Sequence, residues 1–135
     1  MKRAVVDALH EARAAEKEQA LFYRGLAAQA EAAGDAVLAE RLDGLHADEQ
    51  HHLSRLTARL LELGERLADL RGSAAPSVAL DDWQPVARER ERAEALRYRQ
   101  ILELAPDPVT AELVREILRV EEIHEEQLGG KWMRA

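Results

Sequence analysis

The chain has 135 residues, 47% hydrophobic and 33% charged, with a formal charge of -7 and no cysteine. That length suffices for one domain, 1–135, whose core needs no staples, and the missing thiols exclude disulfides, thiolate zinc sites and a rubredoxin-like iron centre within this sequence. The acidic balance argues against nucleic acid as a partner, no apolar run nears the roughly 20 residues of a membrane span, and the N-terminus lacks a signal-peptide core, so a cytoplasmic location is expected.

Ala, Leu, Glu and Arg dominate and only 4% of residues are aromatic, which predicts an all-α protein. The first helix is expected over residues 3–33, ending at Gly34, which can take a left-handed cap, with Asp35 opening the next helix. The second runs from Ala36 to about Leu63, and so short a connection makes a hairpin over 3–64. Residues 65–84 read as a long crossover, with Arg71 to Ser77 its most loop-like stretch. Asp81 and Asp82 offer caps and Pro85 a first-turn proline for a third helix reaching about Leu104. Ala105-Pro106-Asp107-Pro108 then starts a fourth helix that ends near Leu128, closing a second hairpin over 85–128 and leaving a tail, 129–135, expected to pack back on the bundle. The predicted fold is an antiparallel four-helix bundle with a long crossover between helices two and three.

The halves resemble each other, with Gln19 to Arg24 aligning on Glu94 to Arg99 and Ala39-Glu40 on Ala111-Glu112. Duplication of a helical hairpin is the simplest explanation.

Stepping three and four residues alternately keeps to one helix face. On helix two the walk gives Leu38, Leu42, Leu45, Glu49, His52, Leu56, Leu60 and Leu63, and on helix four Val114, Ile117, Glu121, His124 and Leu128. Helix one gives Val5, Leu9, Ala12, Glu16, Gln19, Tyr23, Leu26 and Ala30, and helix three Ala87, Glu91, Glu94, Tyr98, Ile101 and Ala105. Every inward stripe carries a carboxylate. Buried at one level, such charges each lose several kcal/mol of solvation, and bound cations would compensate them. Glu16, Glu49, His52, Glu91, Glu121 and His124 are therefore the candidate metal ligands. One Glu from each of two helices with Glu-x-x-His from the other two is the donor set of ferritin-like carboxylate proteins, and oxygen with imidazole suits two iron ions, or manganese. Glu16 precedes Tyr23 by seven residues as Glu91 precedes Tyr98, so each phenol is placed to hydrogen-bond a ligand carboxylate. His10, His46 and His51 fall off this level, and Asp48, Glu18, Glu122 and Glu125 read as solvated.

These residues resemble the rubrerythrins of the ferritin-like superfamily over nearly the whole chain. Glu16-Lys17-Glu18-x-x-x-Phe22-Tyr23 is similar to that family's first-helix motif, Asp48-Glu49-Gln50-His51-His52 to its second and Glu121-Glu122-Ile123-His124-Glu125 to its last. Glu94 matches the extra carboxylate that rubrerythrins use when one iron changes ligand. The resemblance implies an oxidoreductase reducing hydrogen peroxide or dioxygen at a di-iron site, with Glu94, Tyr23 and Tyr98 assisting, electrons from a separate donor protein, and a homodimer. A ferritin-type iron oxidase or storage protein and a di-iron hydroxylase are the alternatives.

Overall fold

The computed structural model describes residues 2–130. Four α-helices account for most of them: α1 (Arg3–Ala32), α2 (Ala36–Glu62), α3 (Trp83–Glu103) and α4 (Pro108–Gly129). No described helix is long and apolar enough to cross a membrane.

The turn chemistry follows the sequence closely. Gly34 adopts φ 77° and Gly64 φ 79°, the left-handed region where a residue without Cβ is unstrained. Each closes its helix with a bond from the residue after it, Asp35 N–H to the Ala30 carbonyl and Glu65 N–H to that of Leu60, both 3.0 Å, as in the Schellman motif. The Asp35 carboxylate accepts from Leu38 N–H at 3.1 Å and caps α2. Helix α3 departs from expectation. It begins at Trp83, two residues early, after a single 3-10 turn at Leu80–Asp82, and neither Asp81 nor Asp82 makes a capping bond. The crossover is correspondingly shorter. Helix α4 starts at Pro108 and runs one residue further than expected, to Gly129; the expectation for the tail beyond Gly130 lies outside the described residues.

Helix α1 packs chiefly on α2 and α3 on α4, with lighter α1–α3 and α2–α4 contacts. Chain direction follows from two apolar clusters. One gathers Val5 and Leu9 of α1, Leu56 and Leu60 of α2, Tyr98 and Ile101 of α3, and Val114 and Ile117 of α4. The other gathers Leu26, Leu42, Trp83 and Leu128. Thus α1 and α4 run one way, α2 and α3 the other, and every touching pair is antiparallel. The crossover must then traverse the bundle's length. Leu63 and Leu67 lie on the first cluster, Ala75, Val78 and Leu80 on the second, and α1 holds the strand between them through Arg13 Nη1 to the Ala68 carbonyl (3.1 Å) and Gln29 Nε2 to that of Val78 (2.9 Å). Between the clusters lies a polar layer.

Candidate metal centre

That layer is built at mid-height, where the heptad-like stripe of each helix is interrupted by acid. Helix α1 contributes Glu16 and Gln19, α2 Glu49 and His52, α3 Glu91 and Glu94, and α4 Glu121 and His124, none more than 7% exposed. In both α2 and α4 the Glu precedes the His by three residues, so a single helix face presents both side chains.

The six candidate ligands converge as two overlapping groups. Glu16, Glu49, His52 and Glu121 offer atoms all within 4.8 Å of one another, and so do Glu49, Glu91, Glu121 and His124. Glu49 and Glu121 belong to both. His52 Nδ1 lies 3.1 Å from Glu16 Oε2 and from Glu121 Oε1, while His124 Nδ1 lies 3.5 Å from Glu91 Oε1 and 3.7 Å from Glu49 Oε1. Glu94 shares the layer but belongs to neither group; its nearest cation is Arg97, with Nε 4.0 Å from Oε1.

The surrounding contacts are partly those expected. Tyr23 donates to Glu91 Oε1 at 2.7 Å, and Gln19 Nε2 donates to the same oxygen at 3.2 Å while accepting from Arg90 Nε at 2.7 Å. Tyr23 thus serves the carboxylate of the opposite hairpin. Tyr98 is buried with its hydroxyl acting on Glu16, in a looser contact than the Tyr23–Glu91 bond. His10 and His46 are engaged elsewhere, with Glu65 and the Ala20 carbonyl, each at 2.9 Å. Asp48 corrects the sequence reading. Instead of a merely solvated face, it reaches across from α2 to hydrogen-bond His124 Nε2 at 2.8 Å. The available signal was its place one residue before Glu49, since imidazoles at metal sites hold a carboxylate on the nitrogen facing away. A groove of about 690 Å³ between α2 and α4, walled by Val37, Leu45, Val120 and Ile123, is also lined by Asp48 and His124.

The electrostatics test whether these residues suit a cation. Without one, burial pushes the carboxyls of Glu16, Glu49 and Glu121 above the ordinary range, reinforced by the charges of their acidic neighbours. Burial, with Glu16 nearby, lifts Glu94 to about 8. Glu91 goes the other way: burial raises it, but the proximity of His124, Glu121 and Tyr23 outweighs that. Burial disfavours the His124 cation, yet Asp48 and Glu91 raise it to about 9. Even so, Glu16 Oε1, both oxygens of Glu49 and of Glu121, Glu91 Oε2 and His124 Nδ1 are buried without a partner. Each such orphan costs roughly 1–3 kcal/mol or more. Oxygens and an imidazole nitrogen, aimed inward with free lone pairs, fit divalent cations of the iron or manganese type.

A bundle with one long crossover and a buried layer of Glu and His belongs to the class of helical carboxylate proteins able to hold metal ions. A family model described as the ferritin-like domain matches residues 6–131. The chain belongs to the ferritin-like family. Comparison with curated proteins and with solved structures yields no match.

Proposed function

We propose that this protein is a di-iron oxidoreductase of the rubrerythrin type that reduces hydrogen peroxide. The observation carrying the metal assignment is the sharing of Glu49 and Glu121 between two four-residue groups, the arrangement expected of carboxylates that bridge two ions. Glu16 with His52 and Glu91 with His124 would complete the two ends. Two iron ions held there would supply the two electrons that, with two protons, turn peroxide into two molecules of water, and would polarise its O–O bond.

The chain's own residues account for the rest. Glu94 supports the rubrerythrin reading over a plain iron oxidase, because its buried Oε2 has no partner and offers a spare carboxylate beside the Glu16 end. In the metal-free protein, burial and Glu16 raise the pKa of Glu94 to about 8. Tyr23 fixes Glu91, and the apolar clusters on either side exclude bulk water. These residues hold no cysteine, so in this reading the electrons come from a centre outside them.

Ferritin-type iron oxidation is the second reading, favoured by the family match over residues 6–131. Anaerobic loading with ferrous iron, then stopped-flow mixing with peroxide or with air-saturated buffer, separates the two. Faster oxidation by peroxide is expected; faster oxidation by dioxygen, with a shell of hundreds of kDa on size exclusion, would establish the iron oxidase instead.

A further inference from the structure

The duplicated hairpins make the layer nearly two-fold symmetric, with Glu16 exchanging with Glu91, Glu49 with Glu121 and His52 with His124. The groups around it break that symmetry in one consistent direction. At the Glu91 end, the carboxylate receives Tyr23 at 2.7 Å and Gln19 at 3.2 Å, and His124 Nε2 is held by Asp48 at 2.8 Å. At the Glu16 end the counterpart of Gln19 is Glu94, whose buried Oε2 makes no hydrogen bond to a ligand. The counterpart of Tyr23 is Tyr98, whose hydroxyl acts on Glu16 but closes no hydrogen bond as tight as the 2.7 Å one at the other end. One residue before Glu121, where the relation puts the equivalent of Asp48, stands Val120, which has no acceptor for His52.

Resting on the metal-centre reading, we infer that the two ends are inequivalent cation sites: the Glu91–His124 end is preorganised by Asp48, Tyr23 and Gln19 and fills first, and the Glu16–His52 end binds its ion more weakly and exchanges it. A ligand already locked in position loses less freedom on binding. An anion on the far nitrogen of an imidazole fixes its tautomer and raises its basicity, and removing such a partner typically costs about 10–100-fold in metal affinity. Asp48 is a positioning residue in this scheme, acting only through His124. At 52% side-chain exposure, it can be replaced without opening the core.

The test is calorimetric titration of the metal-free protein with Co²⁺, a redox-stable probe, with the visible bands of the bound ion read in parallel. Two resolved steps are expected. Asp48→Asn should weaken the first step by about 10–100-fold and leave the second nearly unchanged, with the far-ultraviolet circular dichroism of the parent chain. Val120→Asp should do the reverse, strengthening the second step and narrowing the gap, a gain that misfolding cannot imitate. Two equal ions in one step, an Asp48→Asn protein weakened equally at both steps, or a Val120→Asp protein with an unchanged gap would overturn the inequivalence while leaving the metal centre standing. Failure of the parent chain to take up Co²⁺ would overturn both.

Discussion

Single residues in the polar layer trade stability for chemistry. Glu49 is fully buried and neither of its carboxylate oxygens has a partner, so in the metal-free protein it is a liability that an apolar side chain of similar volume would remove. Glu49→Met is expected to raise the unfolding free energy of the metal-free chain by ~1–3 kcal/mol in urea titrations, and to abolish uptake of the second ion. A less stable Glu49→Met protein would show that the layer is satisfied without metal. The same residues set a pH dependence of known sign. Glu16, Glu49, Glu121, Glu94 (about 8) and His124 (about 9) all have folded pKa values above their ordinary ones. The folded metal-free state therefore binds more protons than the unfolded chain between about pH 5 and 9, and its stability falls as pH rises through that window. The contribution of His124 is complete below its unfolded value and disappears above about 9. Cations compete with these protons, so metal affinity must rise over the same range. Thermal melts at several pH values, with and without Mn²⁺, check both slopes.

At the scale of elements, the helix ends carry local costs that can be reversed. Ala105, just past the end of α3, sits at φ 53°, a conformation in which its Cβ crowds the backbone. Ala105→Gly is expected to stabilise the chain by ~0.5–1 kcal/mol. Gly64→Ala should cost about 1 kcal/mol, and for a conformational reason alone, because an added Cβ there meets nothing within 4 Å. Chemical denaturation of the two variants measures both signs. Elsewhere a single side chain joins two elements: Arg59 of α2 donates through Nε to Thr110 Oγ1 at 3.0 Å and through Nη2 to Asp107 Oδ2 at 2.8 Å. With Arg59 12% and Asp107 34% exposed, this pair is less screened than the ion pairs on the bundle surface. It fixes the start of α4 against the end of α2, and with it the height of Glu121 relative to Glu49.

For the whole molecule, the layer divides the interior into two apolar clusters that cannot touch through it. Metal bound there would be part of the core, since ions that bind only the folded state stabilise it by mass action, about 4 kcal/mol for one site at a thousand times its Kd. Adding Mn²⁺ or anaerobic Fe²⁺ should raise the midpoint of thermal unfolding and a chelator should reverse it, while Glu49→Met should lose most of that shift. A midpoint indifferent to metal in the parent chain would argue that the layer serves no cation.

The amino-acid sequence by itself determined the helices, their order and the stripe that each turns inward. Alternation of three and four residues fixes a side chain's angle on its own helix, and Gly34, Asp35, Gly64 and Pro108 punctuate the chain through local backbone preferences that need no distant partner. That is why the inward facing of Glu16, Glu49, His52, Glu91, Glu121 and His124 on their helices was legible. Relations between helices were not, because periodicity carries no information about the height at which two helices meet. Only the tertiary structure decided that Tyr23 serves Glu91 of the other hairpin and that Asp48 reaches His124 across the α2–α4 groove. It also decided that Glu94 stays outside both groups. Each depends on the register between packed helices, which the joint packing of both apolar clusters and the span of the crossover set together.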